Sequence, residues 1–456
     1  MDSSHDDETG LPIPRRFVAI LALVTGILVM VSNTTAIALA LPVITDEFAI
    51  APSTAIWVVS AFQIAVVMLI LPSSALGERI GHTRMFRTGI ILFVIGSALC
   101  ALSQSLWWLI AARMLQGAGT AATMSVSGAL LRDIYPRSML GAAVSVNAFT
   151  VATAGGLGPV VGSLILSFAS WPYLFVATIP IGLLSLGLSL AMPDNDARPV
   201  RVDARGGLIN AVAFGAFLVG VLQIGTRGDL AMAMLVLSGL AFVRLGFHVR
   251  GTPNAIIPLD LLAIPHLSLA SAISGFTFAT SAAILTSFPF YLLHDLGVST
   301  IQAGAVLAIW PATVAVAAVA GGWLSDYLRA ERLVLAGTSV VAGGLFLVVA
   351  TPVGASLGPI MVAMGVMGAG FGFFQTPNNR ILIAIPPRNR RIRAAGLQSM
   401  SREFGHAVGI GLVGLGFSVA ASAGAHVGLI VAAVLAGVAA VLSLVRLLVP
   451  SGDHGF

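Results

Sequence analysis

Between two long apolar runs lies the polar stretch Ser74-Ala75-Leu76-Gly77-Glu78-Arg79-Ile80-Gly81-His82-Thr83-Arg84. It combines one acid, two arginines and two glycines. A weaker copy, Gly322-Trp323-Leu324-Ser325-Asp326-Tyr327-Leu328-Arg329, stands 248 residues further on and aligns Asp326 with Glu78. A charged turn that recurs in both halves of an apolar chain indicates an internal duplication.

The composition is that of a polytopic membrane protein. Of the 456 residues, 57% are hydrophobic and 9% are charged, and the mean hydropathy is +1.00. Soluble domains carry roughly 25% charged residues. The sequence pI of about 10.3 does not indicate nucleic-acid binding, because the arginines are spread over many short loops. The single cysteine, Cys100, allows no internal disulfide and no thiolate metal site.

Fourteen apolar runs are long enough to cross a bilayer as helices, for which ~20 residues suffice. The first run is too long for the core of a signal peptide and is predicted to stay in the mature chain. Continuous apolar runs argue against a β-barrel, whose strands alternate. The predicted spans cover about 17–41, 55–76, 88–104, 107–131, 141–167, 173–192, 207–225, 231–248, 268–292, 300–323, 333–351, 357–384, 394–421 and 426–449.

The arginines predict the orientation of the chain. Twenty of the 23 basic residues, Arg446 near the C-terminus among them, fall on one side of the predicted spans, and Arg227 alone falls on the other. The positive-inside rule then places both termini in the cytoplasm of a bacterial cell, with the chain in the inner membrane. The charged turns lie eight spans apart, so two helices have been inserted between two six-helix halves. The predicted units are a cytoplasmic N-terminal tail (1–16), an N-terminal half (17–192), two inserted helices with linkers (193–266), a C-terminal half (267–449) and a cytoplasmic C-terminal tail (450–456).

Few ionisable residues fall inside the spans. Those more than five residues from either end of a span are Arg113 in the fourth span and Arg402, Glu403 and His406 in the thirteenth. A charge at membrane depth costs about 2.5–3.5 kcal/mol or more, so such residues mark a transport pathway or a structural pair. Helical spacing places Arg402 and His406 on one face, with Glu403 about 100° away. Both readings, pathway and structural pair, stay open for the two sites.

Uncharged polar residues and glycines complete the candidates. The candidates for a substrate cavity are Asn33, Gln63, Gln116, Asn147 and Arg402. An aromatic and methionine-rich group is the candidate for an adaptable wall of this cavity. In the fifth span Ala154, Gly158 and Gly162 recur every four residues, which permits close approach of another helix, and Pro159 allows a bend. The wall candidates are Phe276, Phe278, Met364, Met367, Phe371, Phe373 and Phe374.

The motifs resemble those of the major facilitator superfamily over essentially the whole chain. The stretch Ser74–Arg84 resembles motif A, and Arg113-Met114-Leu115-Gln116-Gly117-Ala118-Gly119 resembles motif B. Gly158-Pro159-Val160-Val161-Gly162 resembles motif C of antiporters. With the segments 171–182 and 395–409, the chain is similar to the fourteen-span drug:proton antiporters. The expected fold is therefore all-α, with two six-helix halves, two inserted helices and fourteen transmembrane helices.

The resemblance implies a role for each motif. The charges and glycine of the two motif A copies would latch one conformation, Arg113 would support proton exchange, and Gly158, Pro159 and Gly162 would form a hinge. The chain departs from the family where an aspartate of the first span is replaced by Asn33. Glu403 and His406 are then the remaining titratable candidates for proton coupling. The latch residues are Glu78, Arg79, Gly81, Arg84 and Asp326.

The leading prediction is a proton-coupled exporter of amphiphilic, drug-like compounds that works by alternating access. One alternative is a transporter of an anionic or neutral metabolite, because Arg113 and Arg402 outnumber Glu403. A membrane receptor or enzyme is disfavoured, since no catalytic, metal-binding or phosphate-binding motif is visible. The expected partners are a small-molecule substrate, the proton gradient and the lipid bilayer, with no nucleic acid, metal or cofactor. An accessory periplasmic adaptor is left open.

Overall fold

The computed structural model describes residues 10–136, 139–193, 203–250, 259–351, 356–384, 391–420 and 423–449. Most of the two predicted tails and part of the linkers on either side of the inserted helices lie outside these residues. Within the described ranges the chain forms fourteen long helices. They are α1 (Ile13–Glu47), α2 (Trp57–Ile80), α3 (His82–Ala101), α4 (Leu106–Ile134), α5 (Leu140–Phe168), α6 (Thr178–Leu188), α7 (Ala204–Gln223), α8 (Gly228–Arg250), α9 (Pro265–Phe290), α10 (Thr300–Leu324), α11 (Ala330–Ala350), α12 (Leu357–Ala384), α13 (Arg391–Val419) and α14 (Gly424–Leu448).

Counted over the described residues, eleven of these helices are long and apolar enough to cross a membrane, with α6 counted together with the short helical segments on either side of it (Tyr173–Ala191). The other three are α4, α5 and α13, and α13 carries the Arg402–Glu403 charges. The chain is therefore a polytopic helical membrane protein, and the count of fourteen spans stays a prediction. Exposed aromatic residues mark both membrane interfaces, with Trp107 and Trp108 at the start of α4 and Trp323 and Tyr327 at the opposite level, around the end of α10. We call the level of the α2–α3 turn the arginine-rich side and the opposite level the arginine-poor side.

Helix packing repeats between α1–α6 and α9–α14. In the first unit α4 packs on α2 and α3, and α1 packs on α5 and α6; in the second unit α12 packs on α10 and α11, and α9 packs on α13 and α14. Glycines make equivalent crossings possible: a Cβ on Gly119 would lie 2.6 Å from the carbonyl oxygen of Gly89, and one on Gly370 would lie 2.7 Å from that of Gly337. The repeat seen in the charged turns thus extends to the helix crossings.

The two units meet along two seams and where α1 contacts α9. At one seam α5 packs on α10, where Gly304 of α10 lies against Ser163 and the carbonyl of Pro159. At the other seam α2 packs on α13, and α7 lies over both of these helices. Phe404 of α13 stacks on Phe214 and Phe217 of α7, with ring centroids 5.1 and 5.5 Å apart. The inserted helix α7 therefore covers the α2–α13 seam.

The α2–α3 turn consists of Gly81 alone, whose φ of 98° explains the glycine. Hydrogen bonds fix the start of α3 beyond it. His82 Nδ1 lies 3.0 Å from Asp133 Oδ2 at the end of α4, and Arg87 donates to the hydroxyl and the carbonyl of Ser189, just after α6. Arg15 of α1 donates to Ala191 O at 2.9 Å, in the 3₁₀ turn Ser189–Ala191 that also contains Ser189. Arginines at a helix C-terminus satisfy carbonyls that lack intrahelical partners.

Close glycine contacts lead to a first prediction. A Cβ on Gly409 of α13 would overlap the carbonyl oxygen of Ala279 on α9, whereas one on Gly437 of α14 would meet nothing within 4 Å. We expect Gly409→Ala to lower the melting temperature of the purified protein by several degrees, because backbone cannot yield as a side chain does. Gly437→Ala is the control and should leave it unchanged. Equal melting temperatures for both variants would contradict the crossing.

Candidate functional site

Arg113 is the centre of a buried polar network that joins α1, α2 and α4. Its guanidinium is fully buried, donates from Nε to Val58 O at 3.0 Å and donates from Nη1 to Asn33 Oδ1 at 3.1 Å. Nη1 also donates to Gln116 Oε1, one helical turn along α4. The guanidinium carbon lies 4.3 Å from the ring centroid of Phe62, in cation–π contact. Arg113 therefore ties three helices of the first half together.

The network continues through Gln116 into α3 and α6. Gln116 Nε2 donates to Ser97 Oγ at 2.8 Å, and Thr178 Oγ1 donates to the same hydroxyl at 3.0 Å. A close crossing permits this contact, since a Cβ on Gly96 would lie 2.8 Å from the backbone nitrogen of Gln116. The sequence analysis named Asn33, Gln116 and Arg113 but missed Ser97 and Thr178. Small hydroxyls in apolar helices usually bond to their own backbone, so their sequence gives no sign of this role.

Two donors in the network have no hydrogen-bond partner among the described residues. They are Nη2 of Arg113 and Nδ2 of Asn33, and both side chains are nearly or fully buried. Within the described residues, no carboxylate neutralises this guanidinium.

A second cluster surrounds Glu403 of α13 at the α2–α13 seam. Gln63 Nε2 of α2 donates to Glu403 Oε2 at 2.8 Å, and its distance to the carbonyl oxygen of Glu403 is 3.2 Å. Arg402 Nε donates to Glu403 Oε1 at 3.0 Å, and His406 Nδ1 lies 4.0 Å from Oε2. The Glu403 carboxylate therefore links the two halves of the protein, and it is paired with Arg402, the preceding residue of α13.

The structure changes the predicted arrangement of this cluster. The sequence analysis placed Arg402 and His406 on one face with Glu403 turned away, yet both side chains approach the Glu403 carboxylate. The arginine side chain is long enough to fold back across one residue of the helix. Gln63 and Arg402, predicted to line a cavity, are both hydrogen-bonded to this acid, and their role in a cavity stays a prediction. The side chains of Arg402 and His406 are each 30% exposed and that of Glu403 is 16% exposed, so solvent or substrate can reach the cluster.

The aromatic candidates for a cavity wall pack mainly on one another. Phe278 lies 5.2 Å from Phe371 and 5.2 Å from the ring of His406, measured between centroids. Phe374 is also buried in this group, and Met364 and Met367 are fully buried. Phe278 thus connects the wall to the Glu403 cluster. The helix backbone at Asn147 lies within the described ranges, but its side chain lies outside the described residues.

The motif A charges differ between the halves. Within the described residues no ion pair involves Glu78, Arg79 or Arg84, and all three side chains are exposed. Asp326 of the second copy instead accepts a hydrogen bond from Arg380 Nη1 at 2.6 Å, inside its own half. A latch between these groups is therefore not formed in this structure, and its role stays a proposal.

The glycines of α5 make the predicted close approach. Ser32 Oγ of α1 donates to Ala154 O at 2.9 Å, a Cβ on Gly158 would overlap Thr35, and one on Gly162 would lie 3.1 Å from the Cβ of Ala36. The other face of α5 meets α10, where a Cβ on Gly156 would lie 3.2 Å from Pro311. Pro159 lies inside the continuous helix α5. The contact with another helix is confirmed, whereas the hinge role of Gly158, Pro159 and Gly162 stays a prediction.

The structure corrects the assignment of Arg446, which the sequence analysis counted among the terminal charges on the arginine-rich side. It lies inside α14, only 1% exposed, and donates from Nη1 to Asn378 Oδ1 of α12 at 3.0 Å. Asn378 Nδ2 donates in turn to Ala270 O of α9 at 3.2 Å. The position of Arg446 within the last predicted apolar run is the sequence feature that could have indicated its burial.

The family follows from comparison with known proteins. The Major Facilitator Superfamily profile matches the chain twice, over residues 21–268 and 267–455. The chain belongs to the major facilitator superfamily. The double match agrees with the repeated helix packing, and membership makes the protein a membrane transporter.

Among its relatives in this superfamily, the uncharacterized transporter YebQ of Escherichia coli K12 is 37% identical over 97% of this chain and 98% of its own length. The riboflavin transporter RibZ of Clostridioides difficile is 26% identical over 82% of this chain and 83% of RibZ. The multidrug resistance protein Stp of Mycobacterium tuberculosis is 25% identical over 88% of this chain and 75% of Stp. The crystal structure of a POT family transporter in complex with a thioalcohol-conjugated peptide has a TM-score of 0.73 at 14% identity, covering 95% of this chain and 96% of that one. This last likeness shows that the two proteins share the major facilitator fold.

Proposed function

We propose that this major facilitator protein exports amphiphilic, drug-like compounds from the bacterial cytoplasm across the inner membrane, driven by protons that flow inward. The observation that carries the proposal is the Glu403 cluster at the seam between the halves. Glu403 lies deep inside α13, whereas the other acids of the described helices lie at or near helix ends. Titratable groups inside membrane helices mark ion pathways. The multidrug relative Stp supports export as the direction of transport.

Protonation of Glu403 is the coupling step in this proposal. The ionised carboxylate accepts hydrogen bonds from both Gln63 of the first half and Arg402 of its own helix. Protonation of the carboxyl group reduces its capacity to accept hydrogen bonds and removes its electrostatic attraction to Arg402. The contact between α2 and α13 then weakens, and the halves can separate on the arginine-poor side. His406, 4.0 Å away, is placed to pass the proton.

Alternating access is supported by where the halves touch. Gly304 and Ser163 lie toward the arginine-poor ends of their helices, and Gln63, near the arginine-poor end of α2, meets Glu403 near the middle of α13. At the opposite level, Glu78, Arg79 and Arg84 make no ion pair among the described residues. In the proposed cycle these charges form the latch when the arginine-rich side closes. Substrate then faces the arginine-poor side.

The latch gives a second prediction. We expect Glu78→Ala to reduce transport about tenfold while leaving the affinity for the transported compound unchanged, because the residue lies at the membrane surface and outside both polar clusters. Transport by proteoliposomes and binding by the purified protein measure the two quantities. Asp229→Ala, which removes an exposed acid in the first turn of α8, is the control. Loss of binding by a folded Glu78→Ala protein would overturn the latch.

A toxicity screen tests the proposed function as a whole. An efflux-deficient bacterial host that expresses this chain should tolerate higher concentrations of several amphiphilic compounds than the same host with Arg113→Ala. Dissipating the proton gradient should abolish the difference. Equal sensitivity to every compound in a broad panel, at equal protein levels in the membrane, would overturn export of drug-like compounds.

A second candidate is transport of an anionic or neutral metabolite. It is favoured by the lack of a neutralising carboxylate beside Arg113 among the described residues, and by the relative named as a riboflavin transporter. Protection of the host against polar anionic or neutral metabolites, with none against amphiphilic compounds, would select this candidate, and protection confined to cationic dyes would exclude it.

A further inference from the structure

The two unpaired donors of the Arg113 network belong to neighbouring side chains. Asn33 uses its Oδ1 to accept from Nη1 of Arg113, so its Nδ2 and the free Nη2 belong to groups that are already in contact. Asn33 is 2% exposed and Arg113 is fully buried. Helices α1 and α4 thus present two N–H donors and one positive charge at the same place.

Two buried donors of this kind destabilise the folded protein when no group accepts a hydrogen bond from them. A buried donor without a partner costs about 1–3 kcal/mol, and more when the group is charged. Two adjacent donors on a guanidinium and an amide match the two oxygens of a carboxylate, which accepts hydrogen bonds and supplies the missing negative charge. The rings of Phe62 and Phe175, with centroids 4.3 and 5.9 Å from the guanidinium carbon, provide apolar surface beside it.

Other groups in the described part of the chain do not fill this role. The Glu403 carboxylate is already bonded to Gln63 and Arg402. The buried Arg446–Asn378 pair also leaves two arginine donors, Nε and Nη2, without a partner among the described residues, but its asparagine differs because Asn378 Nδ2 donates to Ala270 O. Within the described residues, the Arg113–Asn33 pair is the one in which both the arginine and the asparagine keep a free donor.

We propose that Arg113 and Asn33 form a subsite for a carboxylate group of the transported compound. The inference rests on the proposed transport function and narrows its substrates to amphiphilic compounds that bear a carboxylate. Both side chains are buried in this conformation, so in the proposed export cycle the carboxylate reaches them from the arginine-rich side before that side closes. The asparagine is what makes the site available, since an aspartate at position 33 would itself neutralise Arg113.

Thermal melting of the purified protein in detergent tests the subsite independently of transport. The probes are benzoate and benzylammonium, which share a ring and carry opposite charges. We expect benzoate to raise the melting temperature of the wild-type protein in a saturable way and benzylammonium to leave it unchanged. Asn33→Asp should weaken the apparent affinity for benzoate at least about tenfold, since the new carboxylate occupies the donors. Asn33→Ser, which deletes Nδ2 without adding charge, should weaken it to a smaller extent.

Asn378→Asp is the matched control, because it places the same carboxylate beside the buried Arg446. It should bind benzoate like the wild type. Absence of a benzoate shift in the wild type, or a shift that survives in both Asn33 variants, would overturn the subsite. If Asn33→Asp does not fold, Asn33→Ser decides alone. Proteoliposome transport is measured separately, so a protein that binds benzoate yet exports nothing would refute the transport function and leave the carboxylate site standing.

Discussion

Glu403→Gln should abolish proton-driven transport while leaving passive exchange of substrate intact. Glutamine can still accept a hydrogen bond from Gln63 Nε2, as Glu403 does at 2.8 Å, but it cannot take up or release a proton. We expect transport driven by a pH gradient to fall at least about tenfold, in line with general losses when a positioned proton carrier is removed. Counterflow of labelled substrate across proteoliposomes without a gradient should stay near the wild-type rate.

Two variants serve as controls for Glu403→Gln. Glu403→Asp keeps a titratable carboxyl and should retain part of the coupling. Asp229→Asn removes an exposed acid in the first turn of α8 and should behave like the wild type. Wild-type proton flux in Glu403→Gln would refute its role as the proton carrier, and equal loss of gradient-driven transport and counterflow would show a purely structural role.

Arg113→Ala is expected to bring transport to background. The change leaves Val58 O, Asn33 Oδ1 and Gln116 Oε1 without the donor that joins α1, α2 and α4. An acceptor that loses its partner in a buried site costs about 1–3 kcal/mol, and 1.4 kcal/mol corresponds to tenfold, so two such losses suffice for about 100-fold. Arg113→Lys should restore little, because an ammonium cannot reproduce the fork that reaches both the α2 carbonyl and the α1 amide.

The control for Arg113→Ala is Arg446→Ala, which deletes an equally buried guanidinium outside the proposed pathway. Transport per molecule of membrane-inserted protein should fall far more in Arg113→Ala than in Arg446→Ala. The amount of inserted protein is measured by fluorescence-detected size-exclusion chromatography. Equal losses in the two variants would mean that any buried arginine matters only for stability.

The helices were largely predictable because apolar runs and bilayer thickness constrain them directly. The predicted runs at 300–323 and 357–384 nearly coincide with α10 and α12. Small-residue spacing also carried information, since Gly158 and Gly162 do pack on α1. These features depend on local sequence alone.

The arrangement of the polar residues was only partly predictable. Gln63 and Glu403 are bonded although they are 340 residues apart, and no pattern within one helix specifies that pairing. Ser97 joins the Arg113 network through a crossing at Gly96, which depends on how α3 and α4 pack. Arg446 was assigned by its nearness to the C-terminus, whereas its burial depends on α12 supplying Asn378. Each of these contacts depends on tertiary packing, which the sequence of a single helix does not specify.

The position of α7 over the α2–α13 seam constrains how the halves rock against each other. A helix that contacts both halves cannot stay fixed to each of them, so one of its two interfaces has to slip in every cycle. Toward α13 it holds Phe404 between Phe214 and Phe217, whereas toward α2 it meets Met68 with Gly215. A flexible thioether over a bare glycine slides more easily than stacked rings separate. In the proposed cycle we therefore expect α7 to move with the second half and to slide along α2, which breaks the hydrogen bond from Asn210 Nδ2 to Met68 O.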